Sequence, residues 1–458
     1  MSSGSSLSIP AQPPTDQTEL VPPEHGVSSG GTTSVSSASS RSIPAQPPTD
    51  QTELVPPRAT VPLQPKLAWL VTSLFTARLM SSESGYSRKK PFPATLTANR
   101  CLTAAGSEKE TRHFEISIQG SGLKYEVGDS LGVLPANSPE LIEGILKELH
   151  FTGAEEVAAP DGRTLPLHEA LLRHYIITEP SKLLLQAVSK KDTSGEFLAT
   201  LLDPAAAADL SKYLWGRDIL DILREFTAAR FEPEEFVKCL RKLQPRLYSI
   251  ASSQKAVGES VHLTVAVVRY HVEHSPRQRN GVCSTFLAER AEGIPVFIHT
   301  AKYFRMPENP ESPLIMVGPG TGVAPFRAFL QDRGATGTRG PAWLFFGEQH
   351  AATDFLYEEE WTAALREGRL SRLTTAFSRD QANKIYVQHR MQEHGAELFD
   401  WLQRGAYFYV CGDAARMAKD VDAALHRIIE THGGLSEERA REYVDAMKSE
   451  KRYRKDVY

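Results

Sequence analysis

No two cysteines in this chain stand close enough in sequence to form a metal-binding pair. Cys101, Cys239, Cys283 and Cys411 show no CxxC or CxxxC spacing, which sets zinc and iron–sulfur ligation aside. Sparse, unpaired thiols fit a reducing cytosol better than a secretory route. Long apolar runs are missing as well. The most apolar early stretch, Leu67 to Met80, carries Arg78 and is too short to span a bilayer. A linker helix packed on the body suits it better than a membrane anchor. No charged region followed by an apolar core opens the chain, so no signal peptide and no membrane insertion are expected, and the expected location is cytoplasmic. An excess of positive charge is also absent. The formal charge is −4, whereas nucleic acid wants a concentrated basic face. What is present is ordinary for a globular protein: 41% hydrophobic and 24% charged residues over 458 positions, enough for two or three domains with cores of their own.

Residues 1–65 are rich in Ser, Pro, Thr and Gln and are expected to be disordered, since they offer little to bury. The segment SIPAQPPTDQTELVPP occurs twice there, at Ser8–Pro23 and Ser42–Pro57. It reads as a duplication, because solenoid repeats carry a hydrophobic pattern in every copy and this one does not. Residues 66–89 are expected to form the linker helix. From about residue 90 alternation predicts strands in ATLTANRCLT and HFEISIQ, then helices over 138–243, then strands again in RLYSIASS and VHLTVAVVRY. A barrel over 90–308 interrupted by a helical insert explains this order economically. From Pro313 the pattern becomes strand, Gly-rich turn, helix, repeated: LIMVG then GTG and APFRAFLQDR; AWLFFG then a helix from Asp354; YFYVCG then ARMAKDVDAALHRII. The expected class is therefore α+β and α/β: a split antiparallel barrel followed, over 309–458, by a doubly wound parallel sheet.

Several motifs carry chemistry. Arg246-Leu247-Tyr248-Ser249 offers a cation for a pyrophosphate, an aromatic face for an isoalloxazine and a hydroxyl for its reactive edge. Alone this is a weak signal, since an Arg and a Tyr on a strand are usually surface and core. Gly281-Val282-Cys283-Ser284 precedes the helical TFLAERA, so backbone N–H groups and a hydroxyl would meet at a helix N-terminus, a place for an anion; the plain alternative is a Ser N-cap. Together they favour FAD. The turn Gly318-Pro319-Gly320-Thr321-Gly322 follows a buried strand and lets backbone approach a dinucleotide, although it departs from GxGxxG. Ser378, Arg379, Lys384 and Tyr386 gather after LTTAF and suit the 2′-phosphate of NADP rather than NAD. Cys411-Gly412-Asp413 ends the last main strand, where Cys411 could reach a nicotinamide. The terminal Tyr458 could lie over a flavin ring; a frayed tail is the alternative.

Jointly, RLYSIASS, GVCSTFL, VGPGTGVAPFRAFLQ, FSRDQANKIYVQ, VCGDAARMAKDV and RYRKDVY resemble the FAD–NADPH module of the diflavin reductase family, nearest to the NADPH–sulfite reductase flavoprotein (alpha) subunit. The resemblance runs unbroken from about residue 90 to 458 and implies a ferredoxin-NADP reductase-like fold. It implies FAD contacts from Thr178, from Thr264, Val265 and Ala266 (the last replacing an expected glycine), and from Tyr270. It adds Ile385, Val387, Gln388 and Asp420 to the NADP(H) group, which also takes in Gly320 and Thr321. Ser249, Cys411 and Asp456 would assist hydride transfer between rings stacked about 3–3.5 Å apart, and Tyr458 would cover the flavin. No TxTGN-like loop precedes the barrel, so FMN is not expected on this chain. The electron acceptor would be a sulfite reductase beta-like haemoprotein, a flavodoxin or a ferredoxin. The runner-up is a stand-alone NADPH–flavodoxin/ferredoxin or haemoprotein reductase unrelated to sulfur assimilation, and a non-catalytic docking subunit is the rival from a different class.

Overall fold

The computed structural model describes residues 85–192 and 194–458. The Ser/Pro-rich stretch with its duplicated segment, and the linker up to residue 84, lie outside them.

The first sheet contains β1 (Phe92–Cys101), β2 (Thr111–Ser117) and β3 (Ser130–Val133). The small ribbon β4 (Glu156–Ala158) and β5 (Thr164–Pro166) lies within the helical insert. β6 (Arg246–Ser249) and β7 (Ser260–Ala266) follow, then the hairpin β8 (Arg269–Val272) and β9 (Ser275–Asn280), then β10 (Ile294–His299). The main sheet is antiparallel throughout, in the order β6-β3-β10-β1-β2-β7. An isolated bridge between Ile250 and Leu263 brings its two edge strands together, and this closes the sheet into a split barrel. Alternation decides which face is inside. Phe114 and Ile116 of β2, Leu131 and Val133 of β3, and Val261, Leu263 and Val265 of β7 fill the barrel core.

The insert between β3 and β6 is helical and keeps a core of its own around Ile142, Leu171, Leu184, Ile222 and Phe236. Its first helix, Pro139–Leu149, begins at Ser138, whose side chain accepts from Leu141 N–H, and ends at His150 in the left-handed region. It is tied back to the barrel electrostatically. Arg277 and Arg279 of β9 pair with Asp218 and Asp221 at the start of helix Ile219–Glu225, where carboxylates also favour the helix dipole.

The second sheet is parallel, with β11 (Leu314–Val317), β12 (Ala342–Glu348), β13 (Arg372–Phe377), β14 (Tyr407–Gly412) and β15 (Tyr453–Val457) in the order β13-β12-β11-β14-β15. All of β11 and β12 is buried, as a sheet covered by helices on both faces requires. The fold is thus the expected antiparallel barrel followed by a parallel α/β domain.

Three local expectations are corrected. β14 is not the last strand, because the terminal segment pairs with it as β15. Asp354 does not start a helix; it ends a short one, Ala351–Asp354, and the next runs Glu358–Arg366. The Asp354 side chain is buried, accepting from His350 N–H and Ser107 Oγ, while Tyr357 turns the chain at φ 58°. Finally, the helix expected to begin at TFLAERA, after Ser284, begins earlier, at Val282 with Gly281 as N-cap, and Ser284 lies inside its first turn.

The two domains dock through polar contacts. Arg327, itself paired with Glu360 of its own domain, donates to Ala251 O at 2.8 Å, and Ser253 Oγ donates to Asp332 at 2.7 Å. Tyr357 OH sits between Thr264 Oγ1 (2.7 Å) and His113 Nδ1 (2.9 Å). Burial and the Arg327 charge push His113 down to about 3 and His262 to about 4, so both imidazoles are neutral at this seam.

Candidate active site

Ser249 closes β6 of the barrel, while Cys411 and Asp456 face each other in register on β14 and β15. Folding brings these three, far apart in sequence, to one point at the domain seam. Ser249 Oγ donates to Asp456 Oδ2 at 2.6 Å, and Cys411 Sγ donates to the same oxygen at 3.9 Å. Burial raises the Asp456 carboxyl above the usual range, against the opposing pull of the Ser249 and Cys411 hydrogen bonds and the His299 charge. Burial, and then the Asp456 charge, raise the Cys411 thiol well above its usual value. The arrangement is therefore a protonated thiol and a hydroxyl held on a desolvated carboxylate.

Beside it lies the glycine turn. Residues 320–323 form a 3-10 turn, followed by helix Ala324–Thr336. A Cβ on Gly322 would sit 2.2 Å from Cys411 O, and one on Gly318 would sit 2.5 Å from Gly322 O. Only glycine lets the turn settle this closely on the end of β14. Thr321 Oγ1 and Tyr458 OH are 3.0 Å apart, Tyr458 N–H donates to Gly412 O at 3.1 Å, and Ala414 N–H donates to Tyr458 O at 3.0 Å. The terminus is therefore a fixed strand end and not a frayed one.

The residues expected at the 2′-phosphate stand where β12 and β13 end. Ser378 N–H donates to Glu348 O (2.8 Å) and Arg379 N–H to Gln349 O (2.9 Å). The Arg379 guanidinium pairs with Glu108 of the barrel's β1–β2 loop. Lys384 and Tyr386 are exposed. Ile385 and Val387 pack into the sheet's core. Gln388 Nε2 donates to Asp420 Oδ2 at 3.2 Å, joining two helix starts.

The barrel residues are more dispersed. Arg246 and Tyr248 are half-buried on β6, Leu247 is exposed, and Tyr248 packs partly on the barrel core. At the start of helix Val282–Glu289, Ser284 Oγ accepts from Val268 N–H at 3.1 Å, and the Cys283 side chain is buried in the barrel. That hydroxyl is committed to the fold, since it also donates to Gly281 O at 3.4 Å. Thr178 is half-buried between helices Leu167–Arg173 and Lys182–Lys191. The Thr264 hydroxyl is engaged by Tyr357, Val265 faces the core and Ala266 pairs with Thr111. Tyr270 stacks near Trp215, with ring centroids 6.4 Å apart.

A FAD binding domain family matches residues 84–286, and an oxidoreductase NAD-binding domain family matches residues 316–423. These residues belong to those two domain families. Among curated relatives, the chain is 49% identical over 386 residues to the sulfite reductase [NADPH] flavoprotein alpha-component of Bacillus subtilis (strain 168), covering 83% of this chain and 63% of the relative. It is 46% identical over 392 residues to the component of the same name from Vibrio cholerae serotype O1 (strain ATCC 39315), covering 85% and 63%. The Klebsiella pneumoniae component is 45% identical over 378 residues, covering 82% and 62%. The chain thus spans under two thirds of the length of these relatives.

In this FAD- and NAD-binding module, the structure adds residues that sequence reasoning missed. Glu108 and Lys109 sit in a charged loop that gives no signal by itself, yet Lys109 Nζ pairs with buried Glu348 at 2.9 Å. Tyr357 joins the domains from a position that no motif marks, and Arg327 from inside the VGPGTGVAPFRAFLQ run, where its type alone gives no sign of that contact. Among the described residues, His113, Glu115 and His262 are the one group close enough to share a metal ion. Arg327 Nη1 lies 3.4 Å from His262 Nδ1, so that nitrogen accepts and Nε2 carries the proton, facing Glu115. The cluster works as a docking network. No helix among the described residues is long and apolar enough to cross a membrane.

Proposed function

We propose that this chain takes reducing equivalents from NADPH through FAD and passes them to a haemoprotein of the kind that sulfite reductase flavoproteins serve, using the barrel with its insert (90–308) for FAD and residues 309–458 for NADP(H). The observation that carries the reading is the meeting of Ser249, from the flavin-binding domain, with Cys411 and Asp456, from the nicotinamide-binding domain, on one carboxylate oxygen. FAD, when bound, supplies a ring that accepts a hydride and releases electrons singly.

The residues fit such a partner. The Gly322 cradle brings the turn against Cys411 without room for a Cβ, and the buried Asp456 charge would favour the positive charge that grows on a nicotinamide as it gives up hydride. Ser249 would hold a hydrogen bond toward the flavin edge. Cys411, kept protonated by burial, would fill the space beside the nicotinamide without attacking it. Arg379, Lys384 and Tyr386 would hold the 2′-phosphate.

The reading is tested by anaerobic titration of the flavin-loaded chain, which should bleach with NADPH. A chain that binds no flavin, or whose flavin stays oxidised, would overturn it. Arg379→Ala should weaken NADPH binding by about 1.5–3 kcal/mol, the worth of a charge-assisted phosphate contact, and leave NADH use nearly unchanged. Equal losses with both nucleotides would remove Arg379 from the 2′-phosphate site.

Tyr458 is proposed to occupy the flavin face that nicotinamide must reach. Its deletion should tighten NADP⁺ binding and raise NADH use relative to NADPH, by about two- to tenfold, in line with one aromatic stacking contact. Steady-state kinetics with both nucleotides check this, and an unaltered NADPH/NADH ratio would remove the tyrosine from any gating role.

A further inference from the structure

The β1–β2 loop of the barrel reaches across the seam and is pinned at three points. Ala104 N–H donates to Thr353 O at 2.8 Å, Ser107 Oγ to Asp354 Oδ1 at 2.5 Å, and Lys109 Nζ to both Glu348 oxygens at 2.9 and 3.1 Å. Glu108 stands between two of these anchors, and its carboxylate pairs with the Arg379 guanidinium. Arg379 is fixed as well, through its backbone bond to Gln349 O. The neighbouring acid, Asp380, is already engaged by His350 Nδ1 and Ala351 N–H, each at 2.9 Å. Among the described residues, Glu108 is therefore the carboxylate paired with this arginine, and the contact joins residues 271 positions apart.

We infer that Glu108 is an exchange partner for the 2′-phosphate: it holds Arg379 when the nucleotide is away and competes with the phosphate for the same guanidinium. This rests on the reading of Arg379 as the 2′-phosphate ligand and goes beyond it by naming what NADP(H) must displace. A phosphate dianion carries more charge than one carboxylate and can win the exchange. A nucleotide without the 2′-phosphate leaves the pair intact. The arriving phosphate must also approach the Glu108 charge, so the glutamate lowers affinity for the phosphorylated nucleotide and speeds its departure. Ser107 and Lys109 keep their own partners throughout, so Glu108 is re-presented to Arg379 whenever the site empties.

The test is equilibrium binding of 2′,5′-ADP and 5′-ADP to the flavin-loaded chain, with no turnover involved. Glu108→Gln keeps the side-chain size and removes the charge. It should tighten 2′,5′-ADP by roughly two- to fivefold, the range of an exposed ion pair, mainly through slower dissociation. Affinity for 5′-ADP should not move, and the gain should shrink as salt is raised. In an Arg379→Gln background the same substitution should yield a clearly smaller gain. Unchanged 2′,5′-ADP affinity in Glu108→Gln, with a clear loss in Arg379→Gln alone, would overturn the exchange role while leaving Arg379 as the phosphate ligand. No loss in Arg379→Gln would overturn both. Equal tightening of 2′,5′-ADP and 5′-ADP would show a general charge effect and also overturn the inference.

Discussion

Asp456→Asn should slow reduction of the bound flavin by NADPH by roughly 10²–10³-fold, the usual cost of removing one preorganised charge from a reacting centre. The carboxylate is buried, holds the Ser249 hydroxyl at 2.6 Å and lies in register with Cys411. Under the proposed function, removing its charge takes away the group that would favour a cationic nicotinamide. The pH dependence gives the sign. Because burial raises the Asp456 pKa, the ionised form is lost at a higher pH than for a free carboxylate, and the wild-type reduction rate should fall as pH drops through that raised value. The variant should lack this limb. Stability should move the other way. A raised folded-state pKa means that the contribution of protonated Asp456 is lost as pH rises through it, so at neutral pH the fold bears a buried charge that asparagine lacks. The variant should melt no lower than the wild type at pH 7, while single-turnover stopped-flow shows the rate defect. A slow variant that also melts early would mean that Asp456 supports the fold and not the reaction.

Gly322→Ala should be the most damaging small substitution in the nucleotide domain. The new methyl would meet backbone atoms of β14, at 2.2 Å from Cys411 O and 2.8 Å from Cys411 C, and backbone in the middle of a buried sheet cannot step aside cheaply. The turn must lift instead. That would part Thr321 from Tyr458, which share a hydrogen bond at 3.0 Å, and shift the end of β14 beside Cys411. We expect a loss on the order of 3 kcal/mol in unfolding free energy, with weakened 2′,5′-ADP binding. Gly334→Ala serves as the control. Its methyl would meet only the Arg369 side chain, at 3.1 Å from Cδ, which can move, so stability should hold. Denaturant melts of the two variants check the contrast, and equal melting would show that the close approach at Gly322 carries no cost.

Much of the architecture could be read from residue patterns because those patterns report burial. LIMV and AWLFF are continuous apolar runs, and both lie in fully buried parallel strands. HFEIS alternates and lies on a half-covered barrel wall. The glycine turn could be read because no other residue permits backbone to meet backbone so closely. The terminal strand was harder. Tyr453–Val457 carries Arg, Lys and Asp, a composition that edge strands tolerate and tails share, so only its pairing with β14 separates the two. Ser284 misled for a related reason. A hydroxyl before a helical run has the same local pattern whether it caps the helix or sits inside its first turn, and the Val268 N–H it accepts comes from the distant link between β7 and β8.

What the sequence determined by itself is the order of elements and the residue types at the seam, since each follows from local composition and spacing. What the tertiary structure decided is which of those residues act together. Ser249 meets Asp456 across 207 positions, and Glu108 meets Arg379 across 271. Such pairings depend on how the barrel and the parallel sheet pack together, and no local pattern of hydrophobicity or turn chemistry encodes a contact between distant polar side chains.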